Sequence, residues 1–218
     1  MDTMQLVTLA DPRSAAAEAY RALRINLAYT SLDKALELLV VSSPGPEAAK
    51  PFVAANLAVV MAQAGQRVAL VDADLRRPRL HALFGLPQEP GLTSLMLSEA
   101  AVSEPQLLET GVPGVSLLPA GAQPPNPADI LGSQKMEQLL RALKAQADVV
   151  ILDSPPVNVA VDAAVLATKT DGLLLTVRYG YSRRDHVAQA QETLERFRVR
   201  LLGAVFVDAP EGGLVQGY

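Results

Sequence analysis

Residues 42–51 read Ser42-Ser43-Pro44-Gly45-Pro46-Glu47-Ala48-Ala49-Lys50-Pro51, and they separate two stretches of different periodicity. The apolar run Leu36–Val41 precedes them, and the helical pattern Phe52–Ala64 follows them. An order of strand, tight loop, Lys and helix is the sequence context of a phosphate-binding loop. In such a loop, backbone N–H groups surround the phosphates, the Lys reaches the terminal phosphates, and the next residue's hydroxyl binds Mg²⁺. The order predicts a nucleotide pocket with Gly45 and Lys50 as candidate binding residues.

Two residues beside Lys50 depart from the pattern of a working phosphate loop. Ala49 places a Cβ where the backbone must approach the ligand and where a glycine-only conformation can be required. Pro51 supplies no hydroxyl for a metal, and it removes one N–H from the start of the helix. Proline is nevertheless well tolerated in the first helical turn. We therefore expect these changes to preserve the fold and to impair binding of nucleotide and Mg²⁺.

The composition is that of a globular chain, with 218 residues, 50% hydrophobic content, 19% charged content and a net charge of −4. Cysteine is absent, which excludes a disulfide framework, a thiolate nucleophile and a Cys-based metal site. The two histidines, His81 and His186, lack the spacing of metal ligands. The mild acidity gives no support for nucleic acid as a partner. Because no apolar run reaches the roughly 18 residues that span a membrane, we expect a cytoplasmic protein.

Apolar runs alternate with helical patterns along most of the chain, which predicts an α/β fold of three layers, α/β/α, around a mostly parallel sheet. We interpret residues 1–30 as an N-terminal helical arm, 31–210 as the main domain and 211–218 as a flexible tail. The predicted strands are Leu36–Ser43, Arg67–Ala73, Val115–Pro119, Val149–Asp153, Gly172–Arg178 and Leu201–Val207. The predicted helices are Ser14–Ala28, Pro51–Ala64, Ser133–Ala147, Ala160–Ala167 and Arg183–Arg198.

Three aspartates follow or end two of these strands. Asp72 and Asp74 lie at the end of the second strand, and Asp153 ends the fourth. Because the carboxyl ends of parallel strands border the ligand crevice, we expect the three carboxylates to converge near Lys50. Such a set suits a Mg²⁺-nucleotide site, in which acids hold the metal and act as general base. Without a metal the acids need a counter-charge, so we expect the Lys50 ammonium to pair with Asp72 or Asp153.

Several short motifs occur together in this chain. They are Glu18-Ala19-Tyr20-Arg21-Ala22-Leu23-Arg24, Ala55-Asn56-Leu57-Ala58, Asp72-Ala73-Asp74-Leu75-Arg76-Arg77-Pro78, Pro90-Gly91-Leu92-Thr93, Pro119-Ala120-Gly121, Pro124-Pro125-Asn126-Pro127, and Leu152-Asp153-Ser154-Pro155-Pro156 with Asp162-Ala163. The combination, from about Glu18 to Val207, resembles the bacterial tyrosine kinases, or BY-kinases. These belong to the MinD/Mrp-like P-loop NTPases and serve capsule and exopolysaccharide export.

The resemblance implies a role for each matching residue. Lys50 would be the Lys of the Walker A motif in a P-loop NTPase-like fold, and Asp72 and Asp74 the acids of Walker A′. Asp153 would be the Walker B acid. Asp74 and Asp153 would be the metal ligands, and all three acids would be ancestral catalytic residues that the altered loop leaves inactive.

The resemblance also implies partners. Glu18, Arg21 and Arg24 match the family's E-x-x-R-x-x-R oligomerisation motif, and their spacing places them on one helical face. The chain would form a homo-oligomer, or a hetero-oligomer with a kinase paralogue. It would bind the cytoplasmic end of a membrane chain-length protein, which would hold it peripherally at the inner face of the plasma membrane.

Three functions are compatible with these features. The first is a pseudokinase or scaffold with impaired ATP binding and no resident cofactor, because Ala49 and Pro51 replace loop residues and a single tyrosine, Tyr218, stands where the family has a tyrosine cluster. The second is an active autokinase that uses ATP and Mg²⁺ and phosphorylates Tyr218 of a neighbour. The third is a MinD/Mrp-like assembly or positioning ATPase. The altered loop does not decide whether the protein is an enzyme, but it favours a protein without enzymatic activity.

Overall fold

The computed structural model describes residues 6–30, 35–46, 49–100 and 102–210. Within these ranges the strands are β1 (Leu38–Ser42), β2 (Val68–Asp72), β3 (Leu108–Glu109), β4 (Val115–Leu118), β5 (Val149–Asp153), β6 (Gly172–Arg178) and β7 (Leu201–Val207). The helices are α1 (Val7–Ala10), α2 (Ala15–Tyr29), α3 (Lys50–Gln63), α4 (Leu80–Leu83), α5 (Leu92–Leu97), α6 (Pro127–Gly132), α7 (Gln134–Gln146), α8 (Asp162–Ala167) and α9 (Arg184–Arg196).

The strands form one sheet in the order β3-β4-β2-β5-β1-β6-β7. Every neighbouring pair is parallel except β3–β4, which is antiparallel. The central strands β1, β2 and β5 are buried along their whole length. Near-continuous apolar strands of this kind require cover on both faces of the sheet.

Alternate strand residues contribute to two hydrophobic cores, one on each side of the sheet. In β5, Val150 and Leu152 belong to the core with α5–α9, whereas Val149 and Ile151 belong to the core with α2 and α3. Successive side chains of a strand point to opposite faces, so one buried run feeds both layers. The predicted three-layer α/β/α fold with a mostly parallel sheet is confirmed.

The predicted long elements are all present: three strands have the predicted bounds, and the bounds of the other elements differ by no more than two residues. Missing from the prediction are β3 and the short helices α1, α4, α5 and α6. Segments of two to six residues carry too few periodic positions to show a pattern. Among the described residues, no helix has the length and apolar character that crossing a membrane demands.

Two of the quoted motifs form one structural unit beside β4. The N–H of Leu92 donates to the Pro119 carbonyl at 2.7 Å, and the N–H of Thr93 donates to the Ala120 carbonyl at 2.9 Å. At Gly91 a Cβ would lie 2.3 Å from the Pro119 carbonyl oxygen, which leaves no space for a side chain. This close approach explains why the Pro-Gly-Leu-Thr motif carries a glycine.

Candidate functional site

The candidate site lies where β1, β2 and β5 end and α3 begins. In the sheet register Asp72 of β2 is the direct neighbour of Asp153 of β5. The end of β1 is held by side-chain bonds: the Ser42 hydroxyl donates to the Pro155 carbonyl at 2.7 Å, and Thr176 donates to the Ser42 carbonyl at 3.0 Å. The topology therefore brings the three aspartates and the loop to one edge of the sheet, as the sequence predicted.

The loop before α3 enters the helix through a strained residue. Ala49, the N-cap, has φ 47° and ψ 31°, the left-handed conformation that favours glycine. We expected that this position can require a backbone conformation that favours glycine. The structure shows that conformation, and an alanine adopts it. Pro51 lies in the first turn of α3, and at Gly45 a Cβ would meet no atom within 4 Å. Glu47 and Ala48 lie outside the described residues.

Lys50, the first residue of α3, makes its ion pair with Asp74. Its Nζ lies 3.4 Å from Asp74 Oδ2, and the two side chains are only 8% and 6% exposed. The expectation that Asp72 or Asp153 would be the partner was wrong, although the ammonium is turned inward as expected. Asp74 lies two residues beyond the end of β2; its Oδ1 accepts the Arg77 N–H at 3.0 Å, which leaves Oδ2 for the lysine. The lysine therefore pairs with the acid that follows the strand and not with either of the two acids that end a strand.

Asp72 is fully buried, and only one of its two carboxylate oxygens accepts hydrogen bonds from the described residues. Its Oδ2 accepts the N–H groups of Arg79 at 3.0 Å and Leu80 at 2.9 Å, which fixes the turn that follows β2. Its Oδ1 has no partner among the described residues. Burial, reinforced by the Asp74 charge, raises the pKa of Asp72 to about 7.

Asp153 has the same character. Its side chain is 1% exposed, and its Oδ1 also lacks a partner among the described residues. Burial raises the pKa of Asp153 well above its usual range, while the Lys50 charge acts in the opposite direction and the Asp72 charge adds to the rise. Two adjacent carboxyls beside one ammonium form a site that holds protons readily and presents two unpartnered oxygens.

Arg76 and Asp162 form a partly buried ion pair that the sequence analysis did not identify. Arg76 Nε lies 2.8 Å from Asp162 Oδ2, and Nη2 lies 3.1 Å from Oδ1. Asp162 is fully buried at the start of α8, whereas Arg76 is 43% exposed. Arg76 and Asp162 each belong to a motif that the chain shares with the BY-kinases. The presence of both motifs in one chain was the sequence feature that could have indicated the pair. The bidentate bond connects the segment after β2 to α8.

The other predicted residues lie apart from this site. Glu18 and Arg21 are on the outer face of α2, with Arg21 Nη1 2.7 Å from Glu18 Oε2, and Arg24 lies one turn further along. Their role in oligomerisation stays a prediction. Tyr218 and the predicted flexible tail, residues 211–218, lie outside the described residues.

The residues present fit a magnesium–nucleotide complex only in part. The unpartnered oxygens of Asp72 and Asp153 are suitable acceptors, but the position after Lys50 offers neither a hydroxyl nor an N–H. Within the described ranges, no group of three or more His, Asp or Glu side chains is arranged to hold a metal ion. The carboxylates therefore suit such a complex while the loop lacks two of its usual donors, and the assignment of Asp74 and Asp153 as metal ligands stays a prediction.

A family model described as ParA, NUBPL iron-transfer P-loop NTPase, matches residues 36–206. The chain is 36% identical over 200 residues to the tyrosine-protein kinase YwqD of Bacillus subtilis, covering 92% of this chain and 84% of that protein. It is 35% identical over 195 residues to the putative tyrosine-protein kinase EpsB of Ralstonia nicotianae, covering 89% of this chain.

Structural comparison agrees with the sequence matches. The kinase domain of the Escherichia coli tyrosine kinase ETK superposes with a TM-score of 0.86 at 31% identity, covering 98% of this chain and 84% of that one. The matched proteins differ in size, since the chain spans only 26% of EpsB. The similarity thus covers 84% of YwqD and of the ETK kinase domain, but only about a quarter of the longer relative.

Proposed function

Because this chain belongs to the ParA-like P-loop NTPase family and, within it, to the bacterial tyrosine kinases, we propose that it is a pseudokinase, a scaffold of capsule or exopolysaccharide export with impaired ATP binding. One observation carries the proposal: Pro51 follows the loop lysine directly, in the first turn of the helix that should receive the phosphates. Ala49 in the left-handed conformation supports it, because its Cβ occupies space at the loop backbone.

The magnitude of the loss supports impaired binding. A hydrogen bond or ligand bond to a charged group contributes roughly 1.5–3 kcal/mol. Loss of a metal-binding hydroxyl and of one N–H donor would together weaken binding or slow transfer on the order of a hundredfold or more. The Lys50–Asp74 pair supports the proposal further, because a lysine engaged with a carboxylate must break that contact to reach a phosphate.

As a scaffold, the chain would act through its surfaces. Glu18, Arg21 and Arg24 are the proposed oligomerisation residues, and the proposed partners are copies of this chain, a kinase paralogue and the cytoplasmic end of a membrane chain-length protein. The exposure of Glu18 supports its availability for such contacts, whereas Arg21 is half-buried and bonded to Glu18 and the Pro12 carbonyl.

Isothermal titration calorimetry with ADP and excess Mg²⁺ tests the proposal. The natural chain should give no heat above dilution, while the variant Ala49→Gly/Pro51→Thr, which restores the glycine and the hydroxyl, should bind at least about tenfold more tightly. Adding Lys50→Met to that variant should abolish the gained binding. Low-micromolar affinity of the natural chain would refute the proposal.

One observation favours the second candidate, an active autokinase that uses ATP and Mg²⁺. All three acids are retained, and two of them keep an unpartnered oxygen. This candidate requires phosphotyrosine to accumulate on Tyr218 when the chain is incubated with ATP and Mg²⁺. Mass spectrometry of the natural chain and of Tyr218→Phe distinguishes it from the pseudokinase, for which no phosphotyrosine forms.

A further inference from the structure

Strand β7 presents an apolar edge at one end of the sheet. It pairs with β6 on one side, and no other described strand pairs with it. Its seven residues, Leu201–Val207, include no charged residue and no proline. Natural proteins usually protect an edge strand with charges, proline or a covering segment, because an apolar edge pairs readily with another strand. The composition of β7 therefore marks this edge as a surface for strand pairing.

The backbone of β7 shows which groups face the open edge. The N–H of Tyr179 donates to the Val207 carbonyl at 2.9 Å, so the polar backbone groups of Val207 face β6. Successive residues of a strand direct these groups to opposite sides, so those of Ala204 and Phe206 point away from β6. The pairing with β6 is irregular at the start of β7, where Leu202 has no partner. The open part of the edge is therefore the second half of the strand.

The two faces of β7 also differ. Leu202, Val205 and Val207 pack against the core that contains α2 and α3. Ala204 and Phe206 lie on the other face and are exposed, with 52% of Phe206 accessible. A strand added to this edge would cover the exposed phenylalanine ring as well as the outward N–H and C=O groups of the backbone.

The residues that flank β7 carry opposite charges. Arg200 directly precedes the strand and donates to the Thr30 carbonyl at the end of α2. Asp208 directly follows it, accepts a bond from Arg178 at 2.7 Å, and together with burial raises the pKa of Tyr20 in α2 to about 12. Both charges thus lie on the α2 side of the sheet. Antiparallel pairing of two identical strands brings the arginine of each copy toward the aspartate of the other, whereas parallel pairing would bring like charges together.

We propose that β7 pairs antiparallel with β7 of a second copy of this chain, so that one sheet runs through both copies. Val205 lies opposite Val205 of the second copy, on the two-fold axis. Ala204 then lies opposite Phe206 of the second copy, and each such pair exchanges both of its N–H···O bonds. The small alanine side chain leaves space for the phenylalanine ring. The contact closes at two copies, and it uses neither the nucleotide loop nor the proposed oligomerisation residues of α2.

Analytical ultracentrifugation of the whole chain over a range of concentrations tests the contact. Phe206→Arg should weaken dimer formation at least about tenfold, because a charge replaces the apolar ring at the centre of the contact. Leu97→Arg, the matched control, makes the same kind of change at a 64% exposed residue of α5, beside β4, and should leave the mass distribution unchanged. An unchanged mass for Phe206→Arg, or a natural chain that is monomeric at every concentration, would overturn the proposal.

Cysteine cross-linking tests the register, since the natural chain contains no cysteine. Residues opposite each other in a non-hydrogen-bonded pair have Cα atoms about 4.5 Å apart, which suits a disulfide. Val205→Cys should therefore form a linked dimer under mild oxidation with oxidised glutathione. Ala204→Cys is the control: its position is more exposed, but its two copies are out of register and beyond the roughly 7 Å that a disulfide spans. Equal cross-linking of the two variants, including none in either, would overturn the pairing.

Two further results separate this contact from the proposed function. If Arg21→Glu/Arg24→Glu reduces the mass and Phe206→Arg does not, copies meet only through α2, and the β7 contact alone is wrong. The amides of Ala204 and Phe206 should exchange hydrogen slowly only at concentrations at which the dimer forms. Slow exchange at every concentration would mean that the edge is covered within a single copy, and it would also overturn the proposal. Neither result changes the ADP titration, which tests impaired nucleotide binding by itself.

Discussion

Asp72→Asn should stabilise the protein, and the gain should grow as pH rises. The folded protein holds the proton of Asp72 up to a pKa of about 7, while the unfolded chain releases it near 3.8. For an acid whose pKa is raised by folding, stability is greatest below the unfolded pKa and is lost as pH rises through the folded pKa. A difference of about 3 pKa units corresponds to about 4 kcal/mol, reached above pH 7.

Asparagine is a suitable replacement because its oxygen can still accept the N–H groups of Arg79 and Leu80 that Oδ2 of the carboxylate accepts now. The variant should therefore keep the turn after β2 and lose only the cost of a buried charge. Urea unfolding of both proteins at pH 5, 6, 7 and 8 measures the difference in the free energy of unfolding. That difference should favour the variant by about 1–2 kcal/mol at pH 5 and should increase to about 4 kcal/mol by pH 8.

Asp148→Asn is the matched control. Asp148 lies one residue before β5, and its bonds to Arg67 hold its pKa below the usual range. It is ionised in both the folded and the unfolded state above pH 5, so its replacement should change stability by the same amount from pH 5 to pH 8. A free-energy difference for Asp72→Asn that is equally flat would refute the account of the buried acids.

Three further substitutions test the packing at two glycines and the pair of Arg76 with Asp162. Gly91→Ala should destabilise the fold by about 1–3 kcal/mol, because its Cβ would lie 2.3 Å from the Pro119 carbonyl oxygen. Gly45→Ala is the control and should change the stability little, because a Cβ there meets no atom within 4 Å. Equal thermal unfolding midpoints for the two glycine variants would contradict the packing argument. Arg76→Gln should cost about 1–3 kcal/mol, because it removes the bidentate partner of the buried Asp162; an unchanged urea midpoint would show that this pair contributes nothing to stability.

Much of the fold could be predicted from the sequence because its signals are local and repeated. Buried parallel strands such as Val149–Asp153 and Gly172–Arg178 carry continuous apolar runs, and the structure gives both the predicted bounds. The convergence of Asp72 and Asp153 followed from topology, since the carboxyl ends of parallel strands meet at one edge.

The details of the site depend on contacts between residues far apart in the chain. Asp72 and Asp74 both accept backbone N–H groups of the turn after β2, and only the folded chain shows that Asp74 also reaches Lys50. The pairing of Arg76 with Asp162 joins residues 86 positions apart. No spacing rule covers such distances, so these contacts had to come from the structure.

We propose that Pro51, directly after the loop lysine, impairs the binding of both nucleotide and metal. Crystals of the protein soaked with ADP and excess Mg²⁺ test it most directly. We expect no ordered ADP and a Lys50 ammonium that remains paired with Asp74. Well-ordered ADP with a cation beside Lys50 would contradict it.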